Sequence, residues 1–321
     1  DILSPEGQKN QEAAGTQICF SVPQDLSTKA PVYTDQELIN SNGHVFIHGT
    51  KSGVVMNHYN NVELSYNATN GLWTPSNPDN WDYDTTEDKG LSYSFWAYGY
   101  NNANATGTTA NITTTGDNTG KTLTIVQPST YVHQENGGFG YDYLLSQAFN
   151  ATSYKVSNGA NIMYRGPIVH LHMEHALALV EITFDIFAPS DGMITELKIA
   201  TGGATLGSKG FYKKGALNAQ DGKFAADSSA TTSHPLLLDV SLPQSNNRII
   251  AECLLVPAQY DYRYSALCNF YIACKFNGKY YYAQTGLENG VRIVQGHKST
   301  IHLNIKDSDG TMEVESVGVA P

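Results

Sequence analysis

In the stretch ALCNFYIACKF the apolar residues fall at every second position, so that Cys268, Phe270, Ile272, Cys274 and Phe276 share one side of an extended chain and Asn269 and Lys275 take the other. A helix would scatter these five around its circumference, and the pattern therefore demands a strand with one buried face. The same period recurs along the chain. In TQICFSVPQ, Ile18, Phe20 and Val22 alternate with Gln17, Cys19 and Ser21, and further runs follow between turn signals at HVFIHG, VVMNHY, VELSYN, LSYSFWAYGY and KTLTIVQ. Past Arg165 they continue as IVHLHME, LALVEITFDIF, MITELKIA, PLLLDVSL, RIIAECLLVP, KYYYAQ, KSTIHLNI and TMEVESVGV. Only YDYLLSQAF reads as a short helix, and the Asn/Thr/Gly tract NNANATGTTANITTTGDNTG reads as a long exposed loop. Many short strands without helical crossovers predict an all-β chain of sandwiches and argue against a parallel sheet.

At 321 residues the chain can bury two ordinary cores or one large one. Asn, Gly and Pro gather in VSNGANIMYRGPIV, which places a domain break near Arg165. The expected organisation is a polar N-terminal segment over 1–15, a first sandwich over 16–165 and a second over 166–321.

A formal net charge of −11, with no basic run of four, would repel a phosphate backbone, so nucleic acid is excluded as a partner. No apolar stretch is long enough to span a membrane as a helix, and the polar start DILSPEGQKNQEAAG does not resemble a signal peptide. Of the four cysteines, Cys268 and Cys274 would stand roughly 20 Å apart on one strand, beyond disulfide reach. A bridge from Cys253 to either remains open, and Cys19 has no evident partner.

Motifs that could carry chemistry fail on spacing. In VHLHMEHALALVEITFDI, strand parity puts His170 and His172 on the face opposite Val169, Leu171 and Met173, with His175 on the core side, so three histidines cannot converge on one metal. TGDNTGKTLTI has Thr115 where a phosphate loop needs its first glycine, and a strand follows where a helix should, which makes it a hairpin turn. Trp73 and Trp81 flank an acidic loop, Asp79, Asp82, Asp84, Glu87 and Asp88, that could stack a sugar or hold calcium, though no calcium-loop spacing is present. Neither a G-x-S-x-G elbow nor an HExxH motif occurs. The expectation is a non-enzymatic protein without cofactor or metal.

The order of several stretches resembles the fimbrillin-like proteins, the pilin subunits of type V pili on the surface of Bacteroidia. ICFSV followed by STKA, GLWTPSNPDNW, LSYSFWAYGY and YDYLLSQ carry it in the first half, and VHLHMEHALALVEITFDI, LLVPAQ and QGHKSTIHLNI in the second, covering about residues 16 to 306. The resemblance implies two tandem transthyretin-like β-sandwich domains, with a boundary just before the strand of His175, and makes Trp73 and Trp81 scaffold. It also implies export as a lipoprotein, anchoring at the outer membrane or incorporation into fimbriae, and cleavage after an arginine just past the first strand. Lys29 stands in that place here, so an arginine-specific maturase would be expected to fail, and the chain looks trimmed of its export signal.

The assembly logic then rests on the first strand. If the strand carrying Ile18, Phe20 and Val22 leaves, it opens a groove of unpaired backbone and apolar floor that another subunit could refill. The candidate donor is the strand at 311–321 with Met312, Val314, Val317 and Val319, whose alternation slips at Glu315 and Ser316. The expected partners are other pilus subunits and, at the surface, host or bacterial glycans or proteins. The competing expectation is a surface glycan-binding module using Trp73 and Trp81.

Overall fold

The computed structural model describes residues 15–22, 43–101, 112–115, 122–126, 130–132, 142–146, 148–187, 192–201, 211–212, 214–218, 223–226, 236–257, 267–286, 288 and 290–320. Among them every regular element is a β-strand. The all-β expectation holds, and its cause is visible in Phe270–Phe276, where burial alternates residue by residue as the sequence does.

One hydrophobic core gathers residues from Ile18 to Met173. Its larger sheet runs in the order Met173–His175, Asp142–Ser146, Ser92–Asn101, His44–Lys51, Val54–Glu63, with Phe149–Thr152 also paired to Ser92–Asn101. The opposing sheet has the order Val169–His170, Phe20–Ser21, Leu72–Thr74, Ser65–Asn67. Between them lie Phe20, Tyr59 and Phe95, none of which reaches solvent.

A second core gathers residues from Ala178 to Met312. One sheet has the order Arg248–Leu255, Ala178–Phe187, Lys298–Lys306, Thr311–Ala320. The other runs Thr130–Val132, Leu236–Asp239, Met193–Thr201, Phe270–Phe276, Lys279–Gln284. Ala178–Phe187 and Lys298–Lys306 are parallel, Val180 opposite Ser299 and Phe184 opposite Leu303. The argument against parallel pairing is thereby corrected: the chain between these strands travels through the opposing sheet, so a parallel neighbour needs no helical crossover.

A third cluster joins the two cores. Trp96, Tyr98, Tyr143 and Leu145 project from the back of the first sheet onto Leu177, Leu254 and Val256. This explains why YDYLLSQAF is a strand, Asp142–Ser146, and not the expected helix. Leu144 enters the first core while Tyr143 and Leu145 enter the third cluster. A run buried on both faces loses its polar alternation, and periodicity alone cannot distinguish it from a helix turn.

Two further expectations shift. The Asn/Thr/Gly tract contains a strand, Ile112–Thr115, hairpinned onto Thr122–Val126, and the latter pairs with Lys214–Asn218. Residues from the first half thus extend a sheet of the second, a long-range pairing that local composition does not report. Val169, Leu171 and Met173, expected beyond the Arg165 break, pack in the first core, and the chain passes to the third cluster at Ala176 and Leu177.

Gly166 is buried against the face of Trp81, and a Cβ there would stand 2.3 Å from two indole carbons. The indole also packs edge-on against Tyr93 and Phe95, which leaves it little room to retreat. Gly166→Ala is expected to lower stability by about 1–3 kcal/mol, read as a lower urea midpoint at unchanged m-value.

Candidate functional site: the slot of the first strand

The segment around Ile18, Phe20 and Val22 is not at a sheet edge. It fills a slot with neighbours on both sides. Phe20 pairs antiparallel with Trp73 and parallel with Val169, and Ser21 pairs with His170. The backbone is tied along its length: Ile18 N donates to Asp79 O at 2.8 Å and Trp81 N to Thr16 O at 2.7 Å on one side. On the other, Val169 N donates to Cys19 O at 3.0 Å and Leu171 N to Ser21 O at 2.8 Å.

Alternation sends Ile18, Phe20 and Val22 inward, at 0%, 0% and 2% exposure. The Phe20 ring meets Phe95 edge-on at 5.4 Å between centroids and Tyr59 at 5.9 Å. Withdrawing three such side chains would cost roughly 4.5–9 kcal/mol of transfer free energy before any lost hydrogen bond is considered. Noncovalent contacts therefore hold this segment strongly, with or without its connection to the following chain.

On the opposite parity, the Ser21 hydroxyl lies 2.7 Å from Nδ1 of His170. Burial, followed by the charge of His172, holds the His170 pKa below its ordinary value. The neutral ring is thus favoured, able to accept the Ser21 hydroxyl proton at Nδ1. Cys19 is buried, and desolvation pushes its thiol up. All four cysteines are free thiols, those of Cys253 and Cys274 pushed up to about 12 by burial, so the bridge left open from Cys253 is not formed.

The last strand, Thr311–Ala320, is held very differently. Among the described residues it pairs only with Lys298–Lys306 and forms the end of its sheet. Met312 is buried, whereas Val314, Val317 and Val319 are half-buried. His302 faces Ser316 and Leu303 faces Val314, leaving Glu315 as the extra residue of a β-bulge. The slip at Glu315 and Ser316 in the sequence is that bulge, which returns Val317 to the side of Val314. Lys29 lies outside the described residues, between the slot segment and the strand that starts at His44.

Trp73 and Trp81 are 4% and 3% exposed and belong to the first core. A tryptophan that stacks a sugar must present a ring face to solvent, and these do not, so the glycan site assigned to them is corrected to scaffold. The nearby carboxylates serve the local structure. Asp84 accepts from the backbone of Thr86 and Glu87, both at 3.0 Å, Asp82 pairs with Lys51 at 3.1 Å and Asp79 with His58 at 2.7 Å. Among the described residues no cluster of three or more His, Cys, Asp or Glu could hold a metal ion.

Comparison with known proteins places this geometry. The sequence profile described as fimbrillin-like matches residues 31–320. The chain belongs to the fimbrillin-like family. Among solved structures it is similar to a fimbrial protein from Bacteroides vulgatus, with a TM-score of 0.56 at 16% identity over 95% of this chain and 99% of that one. A candidate cell adhesion protein from Bacteroides uniformis aligns with a TM-score of 0.50 at 13% identity, covering 95% of this chain and 97% of that one. At such identities the likeness concerns the fold. A comparison with curated proteins finds no match.

Two measurements probe the slot. Phe20→Ala should cost about 3–5 kcal/mol in urea unfolding, whereas Val319→Ala on the edge strand should cost about 1 kcal/mol or less. For His170, the unfolded imidazole binds its proton at a higher pH than the folded one. Stability should therefore fall as pH drops through about 6.5 and level off below the folded value, and His170→Gln should flatten that part of the profile.

Proposed function

We propose that this chain is a structural or adhesive fimbrial subunit of the cell surface, exported as a lipoprotein, that joins other subunits by exchanging β-strands. In this reading the two cores are tandem transthyretin-like sandwich domains, divided near Ala176 where the third cluster begins. The observation that carries it is the first strand itself: Ile18, Phe20 and Val22 buried, the backbone bonded along both edges, and the segment with Lys29 following before the next strand begins.

While the chain is intact, the segment is tethered beside its slot and any departure is reversed at once. Cleavage at Lys29 removes that tether. The segment can then diffuse away once it leaves, and the rate of exchange is set by its dissociation. What it leaves behind is a ready template: the N–H groups of Trp81, Val169 and Leu171, the carbonyl of Asp79, and an apolar floor containing Tyr59 and Phe95. Such a slot favours an extended chain with apolar residues at every second position.

The last strand of another copy is the donor more lightly held than the first, since among the described residues it has one neighbour and its valines are half-buried. Its bulge divides it into two inserts, Met312 with Val314 and Val317 with Val319, of opposite parity. Either insert supplies two of the three side chains the slot requires. No valine matches the volume of Phe20, so the Met312 half is the better filler for that position.

The test is cleavage in solution. Protease treatment near Lys29, followed by electrophoresis in detergent without boiling, should give a ladder of oligomers. Deleting residues 311–321 should abolish it, and because that deletion also strips an edge from the second core, Val314→Asp in the full chain provides the independent check. Retention of the cleaved N-terminal peptide with no ladder would mean that both terminal strands merely complete their own sheets, and the proposal would fail.

A further inference from the structure

The outer face of the sheet containing Phe270–Phe276 carries a feature unconnected with strand exchange. Registers place Lys198, Ala273 and Tyr282 in one cross-strand row, Glu196, Lys275 and Tyr280 in the next, and Ala200, Tyr271 and Gln284 in a third. The alanines at the centre leave a shallow hollow of ≈ 330 Å³, walled by Tyr271, Tyr280 and Tyr282 and bounded by Glu196 and Lys198. Tyr282 is 69% exposed and Tyr280 51%, an unusual outlay of aromatic surface to water for a sheet whose other face is a packed core.

The hollow is organised in advance. The Tyr280 hydroxyl donates to both carboxylate oxygens of Glu196, at 3.2 and 3.1 Å, and Lys275 Nζ reaches the same carboxylate at 3.3 Å. Lys275 also lies over the Tyr280 ring, 5.3 Å from its centroid. Glu196 is thereby held ionised, its pKa lowered first by Lys275, and its charge is met locally. Lys198, the next same-face residue on the strand that carries Glu196, adds a smaller lowering effect on the Glu196 carboxyl and makes no ion pair among the described residues. The hollow thus presents a net positive charge in a chain whose overall charge is −11.

We propose that this hollow binds a carboxylated pyranose, the acidic sugar unit of a uronate-containing or sialylated glycan. The chemistry matches on three counts. A pyranose has a C–H face that settles on tyrosine rings, whose π-clouds attract polarised C–H groups. Its hydroxyl rim requires both donors and acceptors; the Tyr282 hydroxyl supplies a donor and the Glu196 carboxylate an acceptor at the boundary of the hollow. Its carboxylate finds in Lys198 a cation that makes no ion pair among the described residues. The volume is at the small end of the range for ligand sites, fitting one or two sugar rings rather than a folded partner. A peptide adding to the open edge at Lys279–Gln284 would lie beside that strand and leave the hollow over Ala273 empty.

The proposal is independent of strand exchange and is tested on the intact chain by titration calorimetry with sialyllactose, trigalacturonate and, as neutral controls, lactose and cellotriose. At least one acidic saccharide should bind, and which of the two does so identifies the glycan source. Lys198→Gln should weaken that binding by about tenfold, the loss of one charge-assisted contact, and leave any neutral-sugar signal unchanged. Ala273→Leu, which fills the hollow without altering charge, should abolish binding, and Tyr282→Ala should weaken it. These positions face solvent on the sheet surface, and circular dichroism should show all three variants folded. No heat with either acidic saccharide, equal affinity for the neutral ones, or binding that survives both Lys198→Gln and Ala273→Leu would overturn the proposal. So would binding of a proline-rich peptide, lost in the same variants, in the absence of saccharide binding.

Discussion

The enclosure of the first strand is the constraint on which the first half of the molecule depends. Phe20 lies between two sheets and between two neighbouring strands, so its ring, backbone and flanking residues Ile18 and Val22 are all committed at once. Take it out and the Val169–His170 strand loses its link to Leu72–Thr74, because Phe20–Ser21 is the element that bridges them. Tyr59, Phe95 and Trp73 would then face a void or water. Close packing of that order makes the site all-or-none: the slot is filled by an extended apolar segment, or the sandwich is open along its middle.

The two chain ends differ in how they are held, and the difference follows from their position in the sheets. Among the described residues the first strand has two neighbours and three side chains shut away from solvent, while the last has one neighbour and a bulge. The bulge at Glu315 increases local twist and interrupts the ladder, which protects an exposed edge from indiscriminate pairing. A strand that is stable at home yet weakly committed there is what the proposed exchange demands of a donor. The third cluster, with Trp96 and Tyr98 against Leu254 and Val256, joins the two cores by apolar burial and keeps the slot and the last strand on one body.

The legibility of these features in the sequence was uneven, for identifiable reasons. Strands with one wet face declared themselves: Phe270–Phe276 and the slip at Glu315 were both readable from parity alone. Asp142–Ser146 was not, since Tyr143 and Leu145 are covered by a cluster that draws Trp96, Tyr98, Leu177, Leu254 and Val256 together from distant parts of the chain. The strand at Ile112–Thr115 sat within a low-complexity tract whose pairing with Thr122–Val126 depends on a partner, not on composition. Trp73 and Trp81 could be read as ligand platforms or as scaffold until burial decided between them. The tyrosine hollow gave no sequence signal, because Tyr271, Tyr280 and Tyr282 meet Lys198 only through strand register.

From the sequence by itself came the all-β class, the inward set Ile18, Phe20 and Val22 and the irregular last strand, because side-chain parity on a strand is a local property that every second residue records, and the order of particular stretches carried the family resemblance. Which strands become neighbours is not local. The tertiary structure alone decided that the first strand occupies an interior slot, that the last is an edge, that Val169 to Met173 complete the first core, and that three tyrosines surround a pair of alanines. Each of these turns on hydrogen-bonded pairing between segments far apart in the chain, and a period of two is the same whichever partner a strand finds.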